Sequence, residues 1–199
     1  MSQTRRIALL ASAFALFAAP TRVQAQDDTM GPSRVSVEGF LAQYMFDNPG
    51  GDRENIGGVG ARLMFGRGDV TGTLNNFFNR AKAGVFLVYT AEQEAVSTFH
   101  FGGQADFPIF AAPVANGYLD PFFSLGLGGF RTKIDVPSGT QVPAGFSATS
   151  TDFALTPAIG TLIPLTGAIK FRGDIRDVII FGDDRTNNWV FEGGISVGF

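Results

Sequence analysis

The sequence predicts an all-β protein, an eight-stranded antiparallel up-and-down transmembrane β-barrel, and three observations lead to this fold class. Eight segments of about ten residues, the length of a tilted membrane strand, alternate between apolar and polar or small side chains. The last segment, 189–199, places Trp189, Phe191, Ile195 and Phe199 on one face. The 26 glycines and 21 phenylalanines suit a narrow barrel, whose interior is crowded and whose wall meets lipid.

The beginning of the chain has the order of a secretory signal peptide. Arg5 and Arg6 precede an apolar run over residues 7–19, and a small-residue site ends at Ala25. The expected domains are a signal peptide at 1–25, a periplasmic lead-in at 26–33 and an outer-membrane β-barrel domain at 34–199. Cleavage would remove three arginines and change the formal net charge from −3 to −6. A mildly acidic exported protein gives no reason to expect a nucleic-acid partner, and the absence of cysteine excludes disulfides.

The first four segments each carry one apolar face and are separated by turn-forming or irregular stretches. Their apolar positions are Val35, Val37 and Leu41 in 34–46; Val59, Ala61, Leu63 and Phe65 in 56–66; Val85, Leu87 and Tyr89 in 80–90; and Phe99, Phe101 and Phe107 in 97–107. Residues 47–52 are dense in Asp, Asn, Pro and Gly, which form turns. The connection 67–79 is less regular, and a short interfacial helix and a plain loop both fit it.

The last four segments continue the alternation to the end of the sequence. Their apolar positions are Phe123, Leu125 and Leu127 in 119–132; Phe153, Leu155, Ile159 and Ile163 in 151–163; Ile169, Phe171 and Ile175 in 168–179; and the set already named in 189–199. Turns are predicted at Asn116-Gly117 and at Thr166-Gly167. Pro157 is unfavourable within its strand because proline cannot donate to a ladder. The longest connection is 133–150, the best candidate for contact with a partner.

Alternation alone does not say which face lies inside, since a soluble lipocalin-like barrel would turn its apolar face inward. Two features favour the opposite arrangement. The charged face also carries many glycines, such as Gly84, Gly102 and Gly126, which suits a crowded interior. The apolar face has almost no charge except Asp177, near a strand end. We therefore expect the apolar face to meet lipid, where an Arg or Lys at mid-bilayer would cost about 2–4 kcal/mol.

With this orientation, residues 34–199 resemble the small eight-stranded bacterial outer-membrane β-barrels of the OmpA, OmpX and OmpW type. The resemblance is one of pattern, and its most specific parts are the segment 170–176 and the aromatic residue Phe199. It implies location in the bacterial outer membrane and contact with lipids and lipopolysaccharide. It also implies periplasmic chaperones and the barrel-assembly machinery as partners during biogenesis. In that family the last strand is read by the assembly machinery, so Phe199 is the expected assembly signal.

The candidate site is a polar network in the lumen, formed by the charged and imidazole side chains of the inner face. Its expected members are Glu38, Arg62, Lys82, His100, Asp106, Asp120, Lys170, Arg172, Asp174, Arg176 and Glu192. Opposite charges in a water-poor interior must pair, because an unpaired charge is costly there. A structural plug is favoured over a gated path for ions or solutes, because eight strands leave an interior that side chains just fill.

His100 is the only histidine and raises the question of catalysis. Some outer-membrane barrels modify lipid A with His, Ser and a carboxylate, but Ser97 would point to the opposite face from His100. We expect His100 to be a lumen residue that bonds Gln104 or Asp106. The sequence thus predicts a structural, non-enzymatic, monomeric barrel that supports envelope integrity and surface interaction, with no catalytic residue, cofactor or metal. A narrow channel is the second hypothesis and a lipid A-modifying enzyme the third.

Overall fold

The computed structural model describes residues 35–47, 53–66, 80–93, 96–135, 148–182 and 185–199. These residues contain eight strands: β1 (Val35–Asp47), β2 (Arg53–Gly66), β3 (Lys82–Gln93), β4 (Val96–Pro108), β5 (Asp120–Ile134), β6 (Thr149–Thr166), β7 (Ile169–Phe181) and β8 (Arg185–Gly198). Each strand pairs antiparallel with its neighbours in sequence, and β1 pairs with β8, so the sheet closes into a barrel. The predicted fold class is confirmed.

Residue parity decides the face along every strand. Even-numbered side chains point into the lumen and odd-numbered ones point outward, so more and less buried positions alternate through the middle of the eight strands. The outward face is apolar and exposed, with Leu41 64% and Phe191 45% accessible. A closed sheet pairs its backbone groups between strands, which leaves no open edge toward the surroundings.

The register of the ladders fixes the shape of the barrel. Starting from Glu38 and following paired residues through β2 to β7 leads to Thr186 on β8, whereas the direct partner of Glu38 on β8 is Ser196. This offset of ten residues is the shear of the barrel. Eight strands with such a shear tilt by about 40° and enclose a lumen that side chains can fill.

The observed strands extend slightly past the predicted apolar patterns. β2 begins at Arg53 rather than residue 56, β6 continues to Thr166, and β8 begins at Arg185. Backbone hydrogen bonding continues where the side chains become polar, as in the pairing of Asp47 with Arg53. Hydrophobic alternation therefore marks the middle of each strand better than its ends.

Pro157 is accommodated within β6 by a gap in one ladder. Its pairing with Leu125 on β5 is continuous with its neighbours, but the β6–β7 ladder is interrupted between Leu155 and Ala158. In an antiparallel strand, the N–H and C=O groups of one residue point to the same side. The donor that proline lacks is therefore missing on the β7 side, where no ladder bond is made.

Both chain ends of the barrel, Val35 and Phe199, lie together and are joined by two backbone hydrogen bonds. We call this the terminal end, and the opposite one the far end. The tight turn predicted at Thr166-Gly167 is present at the terminal end between β6 and β7. The predicted Asn116-Gly117 turn is also present, with positive φ at both residues. The signal peptide, the lead-in, residues 67–79 and most of 133–150 lie outside the described residues.

Candidate functional site

A group of charged and amide side chains fills the middle of the lumen. We call it the lumen cluster, and its members are Glu38, Arg62, Gln104, Asp106, Arg172, Asp174, Arg176 and Glu192. They come from β1, β2, β4, β7 and β8, and all stand at even-numbered positions. All are less than 9% exposed, so their charges depend on one another rather than on water.

Arg62 bridges carboxylates from three other strands. Its guanidinium lies 3.3 Å from Glu38, 3.8 Å from Asp174, and in direct contact with Glu192. Its Nε donates a hydrogen bond of 3.1 Å to the side-chain oxygen of Gln104. The planar guanidinium offers five donors, and here they are spread around the lumen rather than used on one partner.

Arg172 makes a second set of contacts toward the terminal end. It lies 2.5 Å from Asp106, 2.8 Å from Asp174 and 3.6 Å from Glu38. The amide of Gln104 donates to Asp106 at 2.8 Å, which links this set to Arg62. Glu38 contacts both Arg62 and Arg172, and Asp106 contacts both Arg172 and Gln104. These two carboxylates therefore join the two sets of contacts across the lumen.

Arg176 completes the cluster toward the far end. Its Nε lies 2.8 Å from Asp174 and 2.7 Å from Glu192. Asp174 is thus placed between three arginines, and its side chain is fully buried. The three arginines and four carboxylates leave one negative charge, which the nearby Lys82 offsets. Lys82 donates to the hydroxyl of Ser36 at 3.1 Å.

Aromatic rings also contact two of the guanidinium groups that pair with carboxylates. The Cζ of Arg62 lies 3.9 Å from the centre of the Phe40 ring, and that of Arg172 lies 4.1 Å from the centre of the Phe122 ring. Such stacking favours a cation that is removed from water. Gly60 makes room for this arrangement, because a Cβ at that position would overlap the Phe40 ring.

The side chains of the lumen cluster pack closely around one another in the middle of the barrel. The space bounded by Glu38, Phe40, Arg62, Arg172 and Glu192 has no room for a water molecule. Further around the barrel, Gly102 and Gly128 are paired on neighbouring strands, and a Cβ on Gly102 would lie 2.8 Å from the Cα of Gly128. The arrangement can hold strands together electrostatically and block the lumen.

Above the cluster, toward the far end, the lumen is apolar rather than charged. Its buried side chains include Phe40, Ala42, Tyr44, Phe86, Val88, Phe130, Ala154, Val178, Ile180 and Val190. These residues stand at even positions, but the sequence analysis did not identify them as a core. The sequence could have identified them, because an apolar residue that lies an even number of positions from Glu38 or Arg176 on the same strand also faces inward.

His100 lies among these apolar groups and not beside Gln104 or Asp106 as expected. Its Nδ1 is 3.4 Å from the Tyr44 hydroxyl, and its ring packs edge-on against Phe86 with centroids 4.8 Å apart. The two expected partners are instead engaged with Arg62 and Arg172. Gln104 and Asp106 lie on the same strand as His100, and the rise of about 3.3 Å per residue places them about 13 and 20 Å away along β4. The contacts of His100 come instead from other strands, and the shear decides which of their residues it meets.

The remaining predicted residues lie on the inner face closer to the terminal end. Asp120 pairs with Arg80, whose side chain also donates to the backbone oxygen of Phe110 at 2.8 Å. Lys170 is half-buried and stands opposite Ser196 in the β7–β8 ladder. The structure therefore places all eleven predicted positions inside, seven of them in the lumen cluster and four around it.

Within the part of the chain that the structure describes, His, Asp and Glu form no group that could hold a metal ion. No helix among the described residues is long and apolar enough to cross a membrane.

Three solved structures have folds similar to this one. Neisserial surface protein A matches with a TM-score of 0.63 at 13% identity, and the N-terminal β-barrel domain of Pseudomonas aeruginosa OprF with 0.55 at 15%. Ail, the attachment invasion locus protein of Yersinia pestis, matches with 0.51 at 14%. Each match covers 85% of this chain and 100% of the other. No protein-family model and no curated protein matches the sequence. At these identities the likeness shows a shared fold.

Proposed function

We propose that this chain, which has the fold of the small eight-stranded outer-membrane β-barrels, is a structural, non-enzymatic protein of the bacterial outer membrane. It would contribute to envelope integrity through its barrel and to surface interaction through its far-end loops. The observation that carries this proposal is that one barrel combines an apolar outer wall with a lumen filled by the ion pairs of the lumen cluster.

The outer wall supports the membrane location. Large apolar side chains are exposed on every strand, including Leu63, Phe101, Leu125, Ile159 and Ile175. A soluble protein rarely exposes a contiguous apolar surface of this extent, because its contact with water is unfavourable. Lipid chains would remove this cost, and the closed ladder would leave no unpaired backbone edge facing them.

The filled lumen supports a structural role over a channel. Arg62, Arg172 and Arg176 span the interior at mid-height, and the apolar side chains above them add a second obstruction. An ion would have to displace charges that are paired and removed from water, which is costly. A narrow channel would require a rearrangement of these pairs.

The position of His100 supports a non-enzymatic role. Its ring points into the lumen and contacts Tyr44 and Phe86, whereas a lipid substrate would approach from the outer wall. Ser97 stands on the outward face, so no nucleophilic Ser–His pair forms between them. A lipid A-modifying activity would need a catalytic group on the lipid side or at the barrel rim.

The surface role draws on the comparisons. Two of the similar structures are, by name, a surface protein and an attachment invasion locus protein. Loops on a rigid barrel can diversify without altering the wall, which suits contact with lipopolysaccharide or a surface partner. We propose the connection between β5 and β6 for this contact, because it is the longest of those at the far end.

Biogenesis is part of the same proposal. Residues 1–25 would direct export, and chaperones and the assembly machinery would then act on the strands, with Phe199 as a recognition residue. The Phe199 ring is 71% exposed, whereas its backbone N–H donates to Val35 at 2.8 Å. Phe199→Ala keeps the backbone bonds and removes the ring, so it should lower the membrane level of the protein without blocking export.

Fractionation followed by gel electrophoresis tests the proposal. Closed membrane barrels usually resist detergent until heated, so unboiled protein from outer membranes should migrate differently from boiled protein. Loss of the gene should raise sensitivity to detergents, and the intact gene should restore resistance. A protein found only in the soluble periplasmic fraction, with no heat-dependent shift, would contradict the membrane location.

A further inference from the structure

The connection between β4 and β5 at the terminal end is an uncharged apolar projection. Residues 107–119 contain no Asp, Glu, Lys, Arg or His, although charges flank this stretch at Asp106 and Asp120. Ile109 is 42% exposed, Phe110 50% and Tyr118 67%. A solvated turn in water has no reason to carry such side chains in place of polar ones.

The projection has a defined shape. Val114 and Leu119 form a bridge with backbone bonds of 2.7 and 3.2 Å, and Gly117 and Tyr118 donate to Val114 and Ala115 to close the turn between them. At its base, the N–H of Ile109 donates to Pro121 at 2.9 Å. The segment is thus a small hairpin whose apolar side chains are presented on an ordered backbone.

A side chain from the barrel holds this hairpin in place. Arg80 donates to the backbone oxygen of Phe110 at 2.8 Å and also pairs with Asp120 at the start of β5. Both contacts fall at the base of the hairpin. The exposed position of its apolar residues therefore follows from specific contacts with the barrel end.

The hairpin continues the apolar outer wall. Phe107 at the end of β4 and Phe123 near the start of β5 are paired and both face outward, and Ile109 follows Phe107 in the same phase. The lipid-facing surface thus extends from the strands into the turn without an intervening charge. Continuity with the wall distinguishes this surface from an isolated patch for a soluble partner.

We propose that residues 109–119 form an interfacial anchor that lies in the lipid leaflet at the terminal end of the barrel. Its ligand is the boundary between headgroups and acyl chains of glycerophospholipids. Tyr118 suits this depth because its ring is amphipathic. Four backbone N–H groups donate within the hairpin and that of Ile109 donates to Pro121, while the N–H groups near Asn116 at the tip can meet water at the headgroup level. This inference rests on the membrane location proposed above.

Single-cysteine variants test the anchor, since the natural chain has no cysteine. Phe110→Cys and Tyr118→Cys, each carrying an environment-sensitive fluorophore, are compared in vesicles of phosphatidylcholine and phosphatidylglycerol that contain nitroxide-labelled lipids. Leu41→Cys reports the middle of the wall. Gly167→Cys, in the other described turn at the same end, is the water-exposed control, because a side chain there meets nothing within 4 Å. A heat-dependent gel shift verifies that each variant is folded.

The anchor predicts quenching at both hairpin sites that is stronger with a nitroxide near the headgroup than with one deep in the chain. Leu41→Cys should show the reverse order, and Gly167→Cys little quenching by either. An unquenched hairpin beside a quenched Leu41→Cys would overturn the anchor, leave the membrane location standing and favour a soluble partner. If Leu41→Cys is also unquenched, the membrane location itself fails. Quenching that is weak when the barrels are concentrated in the membrane and appears only when they are diluted in lipid would overturn the anchor in favour of a second copy.

Discussion

Among the residues that the structure describes, Arg62 links side chains from four other strands of the barrel. It contacts carboxylates from β1, β7 and β8 and the amide of Gln104 on β4. Removing a single partner from a buried ionic network leaves the other charges without compensation, and this costs more than the pair contributed. The dependence of Glu38 and Glu192 on Arg62 can therefore be measured by one substitution.

Arg62→Met keeps the length of the side chain and removes its charge. We expect it to lower the free energy of unfolding by about 3–5 kcal/mol, because Glu192 and Glu38 lose their bridging cation. Arg131→Met, at an exposed outward position, should change it by less than about 0.5 kcal/mol. Urea unfolding in lipid vesicles compares the two. Equal effects would mean that water reaches the lumen cluster.

Gly102 and Gly57 provide a matched test of wall spacing. Gly102→Ala should destabilise the barrel by about 1–3 kcal/mol, because its methyl group would meet the backbone of Leu127 and Gly128. Gly57→Ala should be neutral or stabilising, since nothing lies within 4 Å of its added Cβ and the unfolded chain loses freedom. Melting temperatures of the two variants give the comparison. A harmless Gly102→Ala would contradict the close approach of β4 and β5.

For a single residue, the sequence predicts the face of the strand on which its side chain lies, but not the residues of other strands that it contacts. Period-two alternation puts Arg172 and Asp174 on the same face of their strand, and the many glycines of that face predict that it lies inside, where the structure has it. The partner of His100 depends on how far the strands are displaced around the barrel, and this displacement is not encoded in any single strand. Tyr44 lies 56 positions away in the chain, and only the closed register brings it to His100.

Among the strands, β7 has the clearest contrast between its two faces. Ile175 stands at its midpoint and is 40% exposed on the outer wall, beside the buried Asp174 and Arg176. The strand was predictable because charged residues alternate with apolar or small ones without a break over residues 169–176. β6 was harder to delimit, since its last residues, 164–166, follow the apolar pattern weakly and Pro157 interrupts one of its ladders.

A pair of substitutions on β7 tests whether its outer face meets lipid. Ile175→Arg, at mid-strand, should cost about 2–4 kcal/mol, whereas Phe181→Arg, at the far end, should cost about 0–1 kcal/mol. Both native residues are similarly exposed, at 40% and 43%, so burial within the protein does not separate them. Folding titrations into vesicles measure the difference. Similar costs at the two positions would indicate a wall surrounded by water.

Considered whole, the molecule divides its lumen into two zones. The lumen cluster occupies the middle, and an apolar core that includes Phe86, Phe130 and Val178 lies toward the far end. The sequence predicted the polar zone because charges on an otherwise small-residue face are conspicuous. The apolar zone was missed because its residues have the same chemistry as those of the wall, and only their even-numbered positions distinguish them.

The two zones lead to an expectation about conductance. Purified wild-type barrel in a planar lipid bilayer should show no stable open level, because ions would have to cross both paired charges and an apolar core from which water is excluded.

A matched variant, Arg62→Ser with Arg172→Ser, removes the two arginines that are stacked on Phe40 and Phe122. If the lumen cluster is the main barrier, this variant should show brief openings, provided that its heat-dependent gel shift indicates a closed barrel. If the apolar core alone suffices, it should remain silent. Stable openings in the wild type would overturn the structural plug and establish the narrow channel as the function of the barrel.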